Sequence, residues 1–290
     1  MPDRDNLQRF LFENLPVRGE FAQIDAVWRT VLERRSYPPA VRQILGEAVA
    51  AAVLLSASIK FDGWLTLQIQ ASGPLRLLVV QVGSDRSLRG LARWDGEPEA
   101  IALRDLCGDG TLMLTLDLGQ GRDPYQGVVG LRGDSLAATL EDYFEQSEQL
   151  PTRIQLAADA RTCAGLLLQR LPGAAHEDSD DWHRLGLLAA TLQSGELLEL
   201  DAAGLIRRLF HEDDVRLFPP QHFHYRCNCS RERTTAMLHT LGEDELRQAL
   251  AQEDALYVDC EFCGRRYTFD PIDIAGMFAA TTLDTPATRH

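Results

Sequence analysis

Cys227-Asn228-Cys229 and Cys260-Glu261-Phe262-Cys263 are two close pairs of thiols, separated by thirty residues, near the C-terminus of the chain. Thiolates are preferred ligands of tetrahedral zinc, and two such pairs supply all four corners of a closed structural site. The alternative, four unrelated buried cysteines, does not explain why the thiols come in pairs at such short spacing. The pattern therefore predicts a zinc site in this segment.

The same thiols can be oxidised, and their pairing would decide the consequence. A shared zinc ion cross-links the two pairs, and structural zinc typically contributes about 10–16 kcal/mol of apparent folding free energy. Disulfides formed within each pair would close only short loops, which constrain the unfolded chain little and leave the two halves unconnected. The one-residue spacing of Cys227 and Cys229 also favours a strained, labile disulfide. The segment therefore has the chemistry of a reversible switch.

Composition fits a protein of the reducing cytoplasm. The chain has 290 residues, 45% of them hydrophobic, which is enough for one large domain and a smaller one. Its net charge of −14 argues against a broad nucleic-acid-binding surface, because phosphate binding depends on clustered Lys and Arg. The N-terminus has no apolar signal core, and no stretch reaches the roughly 18 uninterrupted apolar residues of a membrane span. We therefore expect a cytoplasmic protein whose clustered cysteines bind metal or sense redox state.

The first half of the chain has the pattern of a mixed sheet-and-helix core. Tyr37-Pro38-Pro39 precedes a run of Ala, Val and Leu to Ser58, which predicts a buried helix. Ser135 is placed to cap a helix that runs to about Ser147. Strands in runs with a few long helices favour an α+β fold over a doubly wound one. The predicted strands are 65–70, 75–82, 111–118, 127–131, 154–158 and 164–171.

A helical linker is predicted after Leu171-Pro172-Gly173. An acidic stretch at 176–181 opens it, and the segment from 174 to 214 holds ten acidic residues against three arginines. Amphipathic helices are predicted at 182–192 and 196–210, and charge repulsion would leave them marginally stable. The alternative is an ordinary helical hairpin on the core. The leucines expected to hold these helices by packing are Leu185, Leu188, Leu192, Leu197, Leu200, Leu205 and Leu209.

Eight motifs spread over nearly the whole chain match one known family. They are VRGE at 17–20, YPPAV at 37–41, LGE at 45–47, KFDG at 60–63, LTLQIQ at 65–70, DYFEQSEQ at 142–149, CNCSRER at 227–233 and CEFCGRRYTF at 260–269. In these motifs the chain resembles the bacterial 33-kDa redox-regulated heat shock chaperones, the heat shock protein 33 family. The resemblance implies an α+β protein with a client-binding core at 1–173, a metastable helical linker at 174–226 and a small zinc-binding redox-switch domain at 227–290.

The resemblance also implies a site and a mechanism. Cys227, Cys229, Cys260 and Cys263 would bind one zinc ion per chain in a reduced, inactive monomer. In the oxidised, zinc-free form, disulfides would join Cys227 to Cys229 and Cys260 to Cys263. That form would be a homodimer, active as an ATP-independent holdase that binds unfolding proteins. The sequence has no ATP-binding loop, in agreement with such a role.

Other candidate residues have simpler interpretations. Cys107 and Cys163 match nothing in the motif, and free cysteines are among the most buried residues, so we expect both in the core. His222 and His224 lie close to Cys227 but are unnecessary as ligands beside four thiolates. Five arginines flank the thiols, and their charge would favour thiolate formation; the alternative is a merely basic surface. They are Arg226, Arg231, Arg233, Arg265 and Arg266.

Three classes of function remain to be compared. A zinc-module RNA-binding protein would place those arginines on phosphate, but the family resemblance and the acidic total oppose it. A zinc enzyme needs an open coordination position, which four cysteines close, so we expect no enzymatic activity. A redox-gated holdase is the preferred function. The apolar faces of strands 65–70 and 75–82 are its expected client-binding surface, covered by the linker helices until activation.

Overall fold

The mixture of sheets and helices in a computed structural model of the chain confirms the predicted α+β class. The structure describes residues 4–59, 61–99, 102–119, 122–131, 133–172, 179–251 and 254–279. Contacts within the chain divide it into two compact units, Met1–Arg226 and Cys227–His290. Of the acidic stretch predicted at 176–181, residues 176–178 lie outside the described part of the chain.

The larger unit contains two six-stranded sheets, and the smaller unit contains one two-stranded sheet. In chain order the strands are β1 (Asn6–Phe12), β2 (Val17–Ile24), β3 (Trp64–Ala71), β4 (Leu75–Gly83), β5 (Ser87–Trp94), β6 (Gly110–Leu116), β7 (Tyr125–Gly130), β8 (Thr152–Ala158), β9 (Cys163–Arg170), β10 (Val215–Leu217), β11 (Gln221–His222), β12 (His224–Tyr225), β13 (Leu256–Asp259) and β14 (Arg266–Phe269).

Ten α-helices are described. They are α1 (Ala26–Glu33), α2 (Pro39–Ser58), α3 (Leu103–Cys107), α4 (Leu136–Tyr143), α5 (Ser179–Ala190), α6 (Ser194–Glu199), α7 (Ala202–Phe210), α8 (Arg231–Leu241), α9 (Glu243–Leu250) and α10 (Pro271–Ala279). A π-helical turn, Phe144–Glu148, continues α4.

The first sheet has the order β10-β1-β2-β9-β8, with β11 also paired to β1, and the second has the order β12-β5-β4-β3-β6-β7. The pairings are antiparallel except for β12, which runs parallel to β5. Gly19 on β2 lies opposite Phe10 on β1, and a side chain at position 19 would overlap the Phe10 ring. The ring therefore lies flat across the neighbouring strand.

Helix α2 is the centre of the larger unit, as the sequence predicts. Pro39 occupies its first turn, and its side chains pack on strands of both sheets. By length and composition alone α2 is apolar enough to cross a membrane, but 72% of that apolar window is buried inside the protein. Burial of this kind is typical of a central core helix. The strands predicted at 65–70 and 75–82 lie beside it and bury Leu67 and Val80 against it.

The remaining predicted elements are confirmed with one correction. Ser135 accepts a hydrogen bond from the Ala138 N–H and so caps α4, as predicted. The single helix predicted at 196–210 is wrong, because the chain forms α6 and α7 with a break between them. Leu200 is extended, and the Asp201 carboxylate accepts a hydrogen bond from the Gly204 N–H, which starts a new helix. A carboxylate that caps a helix N-terminus competes with continuation of the preceding helix.

The linker helices do not cover the surface that was expected. Helices α5, α6 and α7 bury their leucines against the face of the first sheet formed by Phe10, Phe12, Phe21, Leu166 and Leu168. All seven leucines predicted to hold these helices lie in this cluster. The expected cover of β3 and β4 is wrong, because the apolar side chains of those strands point toward α2 instead. The face of the first sheet covered by α5, α6 and α7 is called the linker-covered face below.

A buried carboxylate lies at the end of α2. Glu20 on β2 is 1% exposed, and the Ser58 hydroxyl lies 3.0 Å from both of its carboxylate oxygens. Burial raises the pKa of the Glu20 carboxyl to about 7, although Arg18, Ser58 and Arg9 oppose the shift. The folded state therefore binds this proton more tightly than the unfolded state does, and stability falls as pH rises from about 4.3 toward 7.

Replacing Glu20 by Gln should remove this pH dependence. We expect the stability advantage of Glu20→Gln over wild type to grow by about 2 kcal/mol between about pH 5.5 and about pH 8. Urea unfolding followed by tryptophan fluorescence, to which fully buried Trp28 contributes, measures it. Glu33→Gln, at an exposed carboxyl on α1, is the matched control and should follow wild type. Parallel pH curves for Glu20→Gln and wild type would contradict the assignment.

Candidate metal centre

Two local structures place the four cysteines of the smaller unit. Cys260 and Cys263 lie in the turn between β13 and β14, which the Gly264 N–H closes by donating to the Cys260 carbonyl at 2.7 Å. Gly264 has φ +70°, a conformation that other residues rarely adopt. Cys227 and Cys229 precede α8, whose first turn is capped by the Ser230 hydroxyl. The turn and the cap fix one cysteine pair each.

The four sulfur atoms converge on one point. All lie within 4.8 Å of one another, and each cysteine is half-buried. The Sγ atoms of Cys227 and Cys260 are 3.6 Å apart, and those of Cys229 and Cys263 are 3.4 Å apart. A tetrahedral ion with metal–sulfur bonds of about 2.3 Å places its sulfurs about 3.8 Å from one another. The arrangement therefore fits a single metal ion, and a set of four thiolates favours zinc or iron.

The other candidate ligands lie elsewhere. Cys107 and Cys163 are buried in the core of the larger unit, as expected, and burial raises the pKa of the Cys107 thiol to about 11. His222 and His224 belong to β11 and β12 of the larger unit. Within the described part of the chain, the metal-binding cluster contains neither histidine. Its donor set is sulfur alone.

The five flanking arginines have different partners. Arg226 pairs with Asp85 at 3.0 Å, and Arg266 forms two hydrogen bonds of 2.8 Å with Asp259. Arg233 donates to the Asn228 carbonyl. Arg231 pairs with Asp273 at 2.7 Å, and its guanidinium stacks 4.3 Å from the centre of the Phe269 ring. These four stabilise local structure.

Arg265 differs from the other four, because its charge reaches the thiols. Its guanidinium interacts electrostatically with the Tyr267 hydroxyl and with Cys229 and Cys263, and these interactions raise the pKa of Arg265. Tyr267 in turn donates to the Cys229 sulfur at 3.2 Å. Sequence reasoning missed Tyr267, because its side chain reaches the cluster through the register of the β13–β14 hairpin.

The thiols differ in acidity. Burial opposes ionisation of Cys229, but hydrogen bonds from Tyr267 and the neighbouring thiols outweigh it and lower its pKa to about 7. Burial raises the pKa of Cys260 and of Cys263. Four thiolates this close repel one another, so a bound cation stabilises the set.

The core of the smaller unit is small. Among its described residues the buried apolar cluster consists of Leu238, Leu246, Phe269 and Ile274, and Ala255 is also buried. A core this small contributes little stability alone, and small domains of this kind depend on a metal or disulfides. The sulfur cluster is therefore placed to be the main cross-link of this unit.

Comparison with known proteins identifies the family. The sequence model described as "Hsp33 protein" matches residues 5–270. The chain belongs to the Hsp33 family. It is 47% identical to the 33 kDa chaperonin of Nitrosococcus oceani and 47% identical to that of Azotobacter vinelandii, each over the full length of both chains. Membership in the Hsp33 family supports a chaperone role, which is not an enzymatic one.

The fold has a solved counterpart in the same family. The crystal structure of a 33 kDa chaperonin from Thermotoga maritima, a heat shock protein 33 homologue, superposes with a TM-score of 0.82 at 22% sequence identity. The match covers 97% of this chain and all of the other. The α+β architecture is thus shared at low sequence identity.

Loss of one thiol should abolish tight metal binding. In Cys260→Ser one corner of the cluster offers a hydroxyl, and we expect the affinity for a thiophilic ion to fall about a hundredfold or more. Metal analysis after dialysis against a competing chelator measures it. Cys107→Ala, in the core of the larger unit, is the control and should keep wild-type stoichiometry. A Cys260→Ser variant with wild-type affinity would show that Cys260 is not a ligand.

Proposed function

We propose that the protein is a cytoplasmic, redox-regulated holdase that binds unfolding proteins without ATP. The observation that carries the proposal is the convergence of four thiols within 4.8 Å in a unit with a very small core. In the reduced state Cys227, Cys229, Cys260 and Cys263 bind one zinc ion, and the protein is an inactive monomer. Oxidation to the disulfides Cys227–Cys229 and Cys260–Cys263 releases zinc and produces an active homodimer.

Zinc release is expected to unfold the smaller unit. The two disulfides close loops of only a few residues and do not replace the link between the two cysteine pairs. The buried apolar cluster among the described residues of the unit is too small to hold it without that link. Oxidation is thereby converted into local unfolding, which is the first half of the switch.

The linker provides the second half of the switch. Its last residues, 215–225, supply β10 and β11 to the edge of the first sheet and β12 to the edge of the second. These pairings involve only two or three residues each, so they are weak alone. The segment ends at Arg226, directly before the first zinc ligand, and unfolding of the smaller unit leaves its C-terminal end untethered. Fraying of 215–226 would then propagate toward α7.

The linker-covered face is the proposed client-binding surface. It presents Phe10, Phe12 and Phe21 beside Leu166 and Leu168. The Phe12 and Phe210 rings meet edge to face at 5.1 Å, which shows how closely α7 packs here. Removal of the helices would expose a contiguous apolar patch of the kind that marks interaction sites.

The linker helices are stable only as a packed group. With 12, 6 and 9 residues, α5, α6 and α7 are too short to persist alone in water. Arg184 makes a bidentate pair with Asp213, which joins α5 to the loop after α7. Packing of this kind weakens as conformational entropy gains on it with heating. We therefore propose that activation requires both oxidation and elevated temperature.

The RNA-binding alternative has less support. Among its candidate contacts, Arg226, Arg231 and Arg266 are paired with carboxylates, which leaves less positive charge for phosphate. Salt-dependent RNA binding by the reduced protein would favour this alternative.

One experiment tests the switch directly. Zinc content, thiol count and suppression of client aggregation are measured on one sample before and after peroxide, at low and at elevated temperature. We expect zinc release and thiol loss at both temperatures, and aggregation suppression only after oxidation with heating. Equal suppression by the reduced protein would contradict redox control.

A linker substitution should bypass oxidation. Leu205 on α7 is fully buried, and a buried carboxylate there would release α5–α7 from the linker-covered face. We expect reduced, zinc-loaded Leu205→Asp to suppress client aggregation roughly half as well as oxidised wild type or better. Hydrogen exchange across 179–226 should show lost protection, and aggregation assays should show the activity.

The matched control is Leu187→Asp, at a leucine on α5 that is 57% exposed. It adds the same charge to the linker without displacing a buried side chain, so it should stay inactive while reduced. If Leu205→Asp loses protection across the linker but remains inactive until its thiols oxidise, linker release is not the gate.

A further inference from the structure

The Tyr267 hydroxyl donates a hydrogen bond of 3.2 Å to the Cys229 Sγ. It lies on β14 opposite Val258, and Phe269, two residues further on, is fully buried in the small core. Residues two apart on a strand face the same side of the sheet. The buried Phe269 therefore helps to fix the face on which the Tyr267 ring lies.

The donor is itself polarised by a positive charge. The Arg265 charge interacts electrostatically with the Tyr267 hydroxyl and with Cys229 and Cys263. A positive charge near a hydroxyl makes it a stronger donor, because the charge polarises the O–H bond. Arg265 is therefore placed to strengthen the hydrogen bond that Tyr267 donates to Cys229.

We propose that Tyr267 is a positioning residue that protects Cys229 from oxidation and so sets how readily the switch responds to peroxide. The inference rests on the proposed function, because it concerns the oxidation of thiolates that hold zinc. It adds a regulator to that function: the hydroxyl draws electron density from one thiolate and makes it a weaker nucleophile.

The step that Tyr267 controls is the attack of sulfur on hydrogen peroxide. The thiolate Sγ bonds to one peroxide oxygen, the O–O bond breaks and hydroxide leaves, which gives a sulfenic acid. A second thiolate then attacks that sulfur, forms the disulfide and expels a second hydroxide. One peroxide accepts two electrons for each disulfide formed. The first attack is slower when a hydrogen bond draws electron density from the attacking sulfur.

Removing the hydroxyl should speed that attack at Cys229 alone. A hydrogen bond to a charged group is strong, but only part of its energy is expressed in the rate of nucleophilic attack. We therefore expect Tyr267→Phe to raise the rate of peroxide attack at Cys229 roughly three- to tenfold. The other three cysteines should keep rates close to those of wild type. Arg265→Gln removes the polarising charge but leaves the hydroxyl, so it should give a smaller increase in the rate at Cys229.

The structure supplies matched controls. Tyr257→Phe removes a hydroxyl from the neighbouring strand, where the ring is 56% exposed and lies under the Arg266 guanidinium. Arg266→Gln removes the neighbouring arginine. The Arg266 guanidinium hydrogen-bonds Asp259 instead of Tyr267. Both controls should oxidise as wild type does.

The test uses the full, reduced, zinc-loaded chain. Hydrogen peroxide is added, sulfenic acids are trapped with a dione reagent, and mass spectrometry measures labelling at each cysteine over time, while a chromophoric chelator follows zinc release. The expected result for Tyr267→Phe is an increase in the ratio of Cys229 to Cys263 labelling, with faster zinc release. In the cobalt-substituted protein, the sulfur-to-metal charge-transfer band should move to lower energy, because the thiolate is more electron-rich.

Several outcomes would overturn the proposal. An unchanged labelling ratio would do so, and so would equal acceleration at all four cysteines, which indicates a loosened hairpin. A charge-transfer band at the wild-type position would show that the hydroxyl does not act on the bound sulfur. If wild-type protein binds no zinc, the proposed function fails instead, and the stoichiometry measured before peroxide is added distinguishes the two cases.

Discussion

Four thiols held within 4.8 Å of one another impose the constraint on which the smaller unit depends. As thiolates they repel, and as neutral thiols they offer only weak hydrogen bonds. A bound cation would resolve the conflict by turning the repulsion into a cross-link between the start of α8 and the β13–β14 turn. Because the buried apolar cluster among the described residues of this unit is small, such a cross-link would supply much of its stability.

The larger unit is built on apolar packing instead. Its central helix α2 buries apolar side chains against both sheets. The second apolar cluster lies on the other face of the first sheet and is closed by three short helices. Under the proposed function, the core around α2 would remain folded when those helices detach, and the exposed face would be apolar.

The linker packs on the two sheets of the larger unit through ordinary contacts. Leucines on α5–α7 pack on the first sheet, Gln23 donates to the Leu198 carbonyl at 2.7 Å, and residues 215–225 extend both sheets by two or three residues. Helices and strands this short have little stability outside this packing, and the acidic composition adds repulsion within the segment. These features support the proposed marginal stability of the linker.

The sequence by itself determined the features that depend on local spacing. The cysteine pairs, the proline-started helix α2, the alternation in β3 and β4 and the seven packing leucines are all periodic or adjacent in the chain, so propensity and pattern were sufficient to predict them. The break between α6 and α7 was missed although Asp201 is a typical cap, because the apolar period continues across it.

Only the tertiary structure decided which surfaces meet. β2 pairs with β9 across more than a hundred residues, and its burial on both faces leaves no alternation to detect. The same pairing creates the sheet face that α5–α7 cover, so the assignment of that cover to β3 and β4 could not be corrected from the sequence. Tyr267 and Arg265 were likewise indistinguishable from their neighbours in GRRYTF until hairpin register directed one hydroxyl to Cys229. Patterns in a sequence report which side of an element is apolar, whereas the partner of that side is fixed by contacts between distant segments.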